Sequence, residues 1–161
     1  LYLLLMDNVR KIIKEELKKV FNSPESLSFK NWFGDSEMVD REGSPIIFYH
    51  GSKSDFETFD KSKIGNSTDP GWLGEGFYFY DNPHDAAQYG KVKSYYLKIE
   101  NPYFATDEEN ERLAELNNQE ASREFSEDLK LQGYDGVYYN GNMRGETVVF
   151  EPGQIMPTGL D

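Results

Sequence analysis

A glycine-rich stretch that runs into aromatic residues contains the residue types most suited to binding a ligand. It spans Gly71–Tyr89 and reads Gly-Trp-Leu-Gly-Glu-Gly-Phe-Tyr-Phe-Tyr-Asp-Asn-Pro-His-Asp-Ala-Ala-Gln-Tyr. Glycines allow close backbone approach, and an aromatic run favours a strand that is buried or lines a cleft. Asp81 or Asn82 would cap a following helix. Tyr78 on this strand and Tyr89, about two turns along that helix, would flank one cleft. A hydrophobic strand packed against a helix explains the same residues, so both interpretations stay open.

Two further places bring polar groups to the ends of strands. Ile46–Tyr49 predicts a short apolar strand that delivers His50-Gly51-Ser52 at its end, where folds often place ligand groups. Glu146 opens the second strand of a predicted hairpin whose turn is residues 140–145. Taken singly, a histidine is more often structural and a glutamate is usually an exposed charge.

The composition excludes some kinds of catalytic site and indicates where in the cell the protein acts. The chain has 161 residues, no cysteine and two histidines, which rules out disulfides, thiolate chemistry and a zinc site built from cysteine and histidine alone. We therefore expect a cytoplasmic protein without a metal. The net charge of −12 opposes non-specific binding to nucleic acid. Leu1–Met6 is too short to span a membrane and lacks the features of a signal peptide, so no membrane partner is expected.

The other elements must form a frame around these residues. Asp7–Phe21 has the apolar spacing of an amphipathic helix, which we expect to dock on the domain, with binding to another protein as the alternative. Asn22–Ser28 predicts a linker, so the chain divides into a helix and linker, 1–28, and one domain, 29–161. Lys53–Pro70 suits a loop over a site. Further predicted elements are strands at Ser94–Ile99 and Gly136–Tyr139 and two helices, one after a Thr106/Glu109 capping box and one from Glu120 to a stop at Gly133.

Three separated motifs together resemble the catalytic domain of ADP-ribosyltransferases of the His-Tyr-Glu class, which includes poly(ADP-ribose) polymerases and diphtheria-like toxins. In chain order they are His50-Gly51-Ser52, the run from Gly74 through Phe79 to Tyr89, and Glu146-Thr147-Val148-Val149-Phe150 with Gln154-Ile155 behind it. The resemblance covers Asn31–Ile155 and is strongest to small transferase domains of phage and mobile-element proteins, which also carry an opening like Phe29–Asp35.

The resemblance implies a fold, a co-substrate and roles for single residues. The fold would be α+β, with a split antiparallel β core and flanking helices around a cleft that holds NAD. NAD-binding positions fall on His50, Gly51, Ser52, Tyr78 and Tyr89, and catalytic positions on Glu146, His50 and Tyr78. His50 would bond the adenosine ribose, and the Gly51 backbone the nicotinamide carboxamide. Tyr78 and Tyr89 would sandwich the nicotinamide ring. Glu146 would bond the 2′-hydroxyl of the nicotinamide ribose.

The chemistry of NAD cleavage calls for the same residue types. Breaking the bond between C1′ and nicotinamide spreads positive charge over the ribose, so a fixed carboxylate beside the sugar stabilises the transition state more than the ground state. Nicotinamide leaves as a neutral molecule, and the leaving group therefore needs no acid. Aromatic faces bind the cationic ring by stacking and cation–π attraction.

Several positions depart from the related patterns and shape the expected activity. Arg144 stands where the Arg-Ser-Glu branch usually has Glu or Gln, and Asp85 and Ala86 stand where polymerase relatives have lysine and serine. The short turn at 140–145 leaves little room for an elongation surface. We expect mono-ADP-ribosyl transfer from NAD to a macromolecular acceptor, with protein favoured over RNA or DNA by the net charge. The alternatives are NAD hydrolysis by water and a non-catalytic domain that binds NAD or a partner, the partner through its first helix.

Overall fold

The fold is a mixed β-sheet with helices packed on its faces. The computed structural model describes residues 1–56, 58–64, 71–141 and 145–161. The helices in these ranges are α1 (Tyr2–Phe21), α2 (Leu27–Phe33), α3 (Pro83–Ala87), α4 (Asp107–Leu116) and α5 (Gln119–Leu131). The strands are β1 (Phe48–Ser52), β2 (Phe77–Tyr80), β3 (Lys91–Leu97), β4 (Pro102–Phe104), β5 (Gly136–Tyr139), β6 (Glu146–Val149) and β7 (Ile155–Pro157). They form one seven-stranded sheet in the order β4-β5-β6-β2-β1-β3-β7, which confirms the predicted α+β class. No helix in the described ranges has the length and apolar character to traverse a membrane.

Alternating side chains send the apolar residues of the sheet into two cores. Val149 packs in a core that includes Phe29 of α2, and its neighbour Val148 packs in a second core with Leu113 of α4 and Leu129 of α5. Successive residues of a strand point to opposite faces, so a strand covered on both faces reads as a continuous apolar run. Burying each of these side chains contributes about 1.5–3 kcal/mol and fixes the sheet between its helices.

The sheet has two parts that meet at one register pair. β1 pairs with β3 along its whole length and β2 with β6 likewise, whereas β1 and β2 share only Tyr49↔Tyr80. The β1–β3 part of the sheet is therefore joined to the β2–β6 part by a single residue pair. Near this seam the ring of His50 donates a hydrogen bond to the Tyr78 carbonyl. This side chain thus takes the place of a backbone amide from a neighbouring strand. β4 and β5 are parallel, unlike the predicted all-antiparallel core, because α4 and α5 form a crossover between them.

The first helix is amphipathic as predicted, but its apolar face does not pack on the domain. None of the residues in α1 is buried, and Ile12 is 59% exposed. Its C-terminal end meets the domain where Asn22 donates a hydrogen bond to the Pro157 carbonyl and Lys19 lies against Gly159. The prediction that this helix docks is therefore wrong. Apolar spacing reveals a face on a helix, but the surface that would cover it depends on the rest of the fold.

Some element boundaries also differ from the predictions. β1 begins and ends later than the apolar run 46–49, so the His50-Gly51-Ser52 motif lies inside the strand, where pairing with β3 extends it. The predicted linker ends in α2, whose cap Ser26 accepts a hydrogen bond from the Phe29 amide. The short strands β4 and β7 carry no alternating pattern long enough to be recognised in the sequence.

Candidate active site

His50 is held as a neutral imidazole at the seam between β1 and β2. Its Nδ1 lies 2.7 Å from the carbonyl oxygen of Tyr78, and because a carbonyl only accepts, Nδ1 carries the proton. The rings of Phe56, Phe59 and Phe79 lie around it at centroid distances of 5.8, 5.1 and 5.4 Å. Burial lowers the pKa of His50, and the hydrogen bond to Tyr78 opposes this only in part. The neutral ring presents Nε2 as an acceptor for a hydroxyl group, such as that of a ribose.

The loop after β1 brings two of these phenylalanines over the histidine. Lys93 Nζ donates to the Asp55 carboxylate at 2.6 Å and to the Phe56 carbonyl at 3.2 Å, which ties the loop to β3. Phe59 also packs against the first core. The described part of the predicted loop therefore covers His50, while Glu57 and residues 65–70 lie outside the described residues.

Gly51 lies where the end of α3 approaches β1 too closely for a side chain. A Cβ at this position would overlap the Ala86 carbonyl oxygen and would lie 2.8 Å from the carbonyl carbon and 3.3 Å from Tyr89 Cβ. α3 begins at the predicted cap Asn82 and ends at Ala87, so Tyr89 follows the helix, whereas the sequence predicted it within the helix. The close approach places Tyr89 beside the Gly51 backbone.

Tyr80 links Tyr89 to Glu146. The rings of Tyr80 and Tyr89 are stacked, with centroids 5.7 Å apart and planes inclined by 11°. Their hydroxyl oxygens are 3.0 Å apart, and Tyr80 Oη lies 3.4 Å from Glu146 Oε2. The Tyr80 hydroxyl is oriented as the donor toward both oxygens, and because it carries one hydrogen it donates to one of them at a time. Tyr80 is the site residue that no sequence motif indicated.

Gly145, the residue directly before β6, is held against Asp81 and so helps to position Glu146. The Asp81 amide donates to the Gly145 carbonyl at 3.2 Å, and a Cβ on Gly145 would lie 2.7 Å from Asp81 Oδ1. Burial, and then the nearby Asp85, raise the pKa of Asp81 against the opposing hydrogen bonds from backbone amides, including that of Gly145. Asp81, which the sequence suggested only as a helix cap, thus packs against the residue that precedes Glu146.

Tyr78 lies next to this group with different partners. Its hydroxyl donates to the Gly74 carbonyl at 2.5 Å, and its ring lies so close to Gly71 that a Cβ there would be 2.5 Å from Cε2. Gly71 also has a φ of +67°, so the glycine-rich stretch accommodates the Tyr78 ring as well as its own backbone turn. The aromatic partner of Tyr89 in the structure is Tyr80, and a nicotinamide sandwich between Tyr78 and Tyr89 stays a prediction.

The remaining predicted positions complete the outline of the site. Ser52 accepts a hydrogen bond from the Ser54 amide at 3.1 Å and so shapes the turn that leaves β1. Ala86 is fully buried. Arg144 lies outside the described residues. Within the described ranges, no cluster of three or more histidine, aspartate or glutamate side chains could hold a metal ion.

One comparison with known proteins identifies the family. A family model described as ADP-ribosyltransferase in polyvalent proteins matches residues 40–157, a range that includes every site residue discussed above and excludes α1. The chain belongs to this family, which confirms the resemblance predicted from the three motifs and indicates ADP-ribosyl transfer as the class of activity. Comparison with curated proteins gives no match.

Proposed function

We propose that this protein is a mono-ADP-ribosyltransferase that moves ADP-ribose from NAD to a macromolecular acceptor and releases nicotinamide. One observation carries the proposal. The Gly51 backbone, Tyr89, Tyr80 and the Glu146 carboxylate form a continuous series of contacts, with Glu146 Oε2 at 3.4 Å from the Tyr80 hydroxyl. The family match supports the class of reaction.

The binding of NAD uses groups on both sides of the seam. The register between β1 and β2 ends at Tyr49 in the described part of the chain, which leaves the β2-facing edge of Gly51 for the nicotinamide carboxamide. The ring of Tyr89, fixed beside Gly51, supplies an aromatic face for the cationic pyridinium. The Nε2 atom of neutral His50 accepts a ribose hydroxyl.

The reaction depends on the charge of Glu146. As the bond between C1′ and nicotinamide breaks, its electron pair leaves with nicotinamide and positive charge develops on the ribose. The Glu146 carboxylate bonds the 2′-hydroxyl and stabilises that charge from a position set by β6 and by the contact of Gly145 with Asp81. A preorganised group of this kind is worth about 10²–10³ in rate. An acceptor nucleophile then bonds C1′ and loses its proton.

The net charge of the chain bears on the kind of acceptor, and the length of the turn at 140–145 bears on the kind of product. A polyanionic acceptor must be met by clustered basic groups, and the chain carries a net charge of −12. Lys93, which lies opposite His50 in the register of β1 and β3, forms an ion pair with Asp55 at 2.6 Å. We therefore propose a protein acceptor. The short turn at 140–145 favours transfer of a single ADP-ribose unit.

Labelled NAD tests this function directly. The protein is incubated with cell lysate and NAD labelled in its adenosine half, and the products are treated with protease or with nuclease. We expect discrete labelled bands that protease destroys, with none formed by Glu146→Gln and normal amounts formed by Glu115→Gln, an exposed residue of α4. Label found only as free ADP-ribose would indicate the alternative NAD hydrolase, sensitivity to nuclease would indicate a nucleic acid, and ladders would indicate polymer.

A further inference from the structure

Tyr80 covers one face of the Tyr89 ring, and a nicotinamide ring stacked on that face would need the same space. The two tyrosine rings are nearly parallel, with centroids 5.7 Å apart. A third ring between them would require about 7 Å, twice the carbon–carbon contact distance of about 3.5 Å. No ring can therefore enter this stack while Tyr80 keeps its position.

The contacts of Tyr80 also hold the catalytic carboxylate. Tyr80 is 5% exposed, and its hydroxyl lies 3.0 Å from that of Tyr89 and 3.4 Å from Glu146 Oε2. The side chain thus touches both the aromatic face assigned to nicotinamide and the carboxylate assigned to the ribose. The position of Tyr80 therefore affects both the stacking of nicotinamide on Tyr89 and the access of the ribose to the Glu146 carboxylate.

We propose that Tyr80 is a gate, closed in this structure, whose ring must leave the face of Tyr89 for nicotinamide to stack there. This inference rests on the proposed function, because it needs Tyr89 and Glu146 to be the NAD-binding and catalytic residues. Tyr78 is a poorer candidate for such movement, since its hydroxyl bonds the Gly74 carbonyl at 2.5 Å and its ring is packed against Gly71.

A gate lowers the apparent affinity for NAD by the fraction of molecules in which it is open. If about one molecule in ten is open, removal of the ring raises the affinity about tenfold without any new contact. Removal of the hydroxyl alone weakens the closed state but keeps the ring, so its effect is smaller. Affinity therefore rises from wild type to Tyr80→Phe to Tyr80→Val. A purely structural role for Tyr80 would lower affinity or leave it unchanged.

The test measures NAD and nicotinamide binding by calorimetry for the wild type, Tyr80→Phe and Tyr80→Val. Valine is chosen because a β-branched residue suits a strand, and a urea titration confirms that each variant is folded. We expect NAD to bind about threefold tighter to Tyr80→Phe and about tenfold tighter to Tyr80→Val. If Tyr80→Val does not fold, tighter binding by Tyr80→Phe decides the question.

The outcomes separate the gate from the proposed function. If the wild type binds NAD and the folded variants bind it equally or more weakly, Tyr80 is not a gate. The proposed transferase function is not affected by that result. An absence of NAD binding by the wild type and by both variants would overturn the function and the gate with it.

Discussion

Replacement of Gly51 by alanine tests whether the backbone of β1 must lie directly under the end of α3. The new methyl group would overlap the Ala86 carbonyl oxygen, and its carbon would lie 2.8 Å from the Ala86 carbonyl carbon and 3.3 Å from Tyr89 Cβ. The nearest atoms belong to the backbone, so no rotamer change relieves the overlap and α3 must shift. Overpacking of this kind costs about 1–3 kcal/mol, from which the lower chain entropy of alanine recovers about 0.4–1 kcal/mol.

The assay is thermal and urea unfolding, together with the KM for NAD. A net loss of about 1–2 kcal/mol lowers Tm by about 2–8 °C in a domain of this size, and displacement of Tyr89 raises KM. Gly153→Ala is the matched control, because a methyl group on Gly153 would meet no atom within 4 Å beyond its chain neighbours, and Gly153 has no positive φ. Equal stability and equal KM for the two alanine variants would refute the close packing of α3 on Gly51.

Three further predictions concern single side chains of the site. Because burial lowers the pKa of folded His50 below the ordinary value of 6.5, the unfolded chain binds more protons between the two pKa values. The free energy of unfolding should therefore fall as the pH drops below about 6.5. In His50→Gln the free energy of unfolding should change less with pH below about 6.5. If the two proteins show the same dependence on pH, the imidazole of His50 lies in solvent. Tyr89→Ala should raise the KM for NAD more than it lowers kcat, since the attraction of the ring to the cationic pyridinium is strongest in bound NAD and weakens as nicotinamide becomes neutral, and an unchanged KM would remove Tyr89 from the site. Gly145→Ala should lower kcat with little change in KM, because the methyl group would meet Asp81 and displace Glu146, and steady-state kinetics with normal kcat would contradict this.

The features that were predicted from sequence depend on short stretches of chain. Thr106 and Glu109 form both hydrogen bonds of the predicted capping box, and Gly133 takes the positive φ that ends α5. Asn82 caps α3 as its side chain and the following proline indicate. Such signals involve neighbours within one turn, so residue types alone are sufficient to reveal them.

The features that were missed depend on contacts between distant parts of the chain. Tyr80 belongs to an aromatic run that is typical of a core strand, and its place beside the carboxylate follows from the register Tyr80↔Glu146 between β2 and β6. Asp81 meets Gly145 through the same pairing of strands. The exposure of α1 likewise depends on which surfaces the domain offers, and a helical pattern contains no information about those surfaces.

The most direct test of the central claim is the rate at which purified protein releases nicotinamide from NAD, with and without the Glu146 charge. Glu146→Gln keeps the shape of the side chain and removes its charge, so NAD affinity should stay close to that of the wild type. We expect the rate of nicotinamide release to fall about a hundredfold or more, as for the loss of a preorganised electrostatic group. Near wild-type release by Glu146→Gln, or no release by the wild-type protein with an acceptor present, would contradict the account.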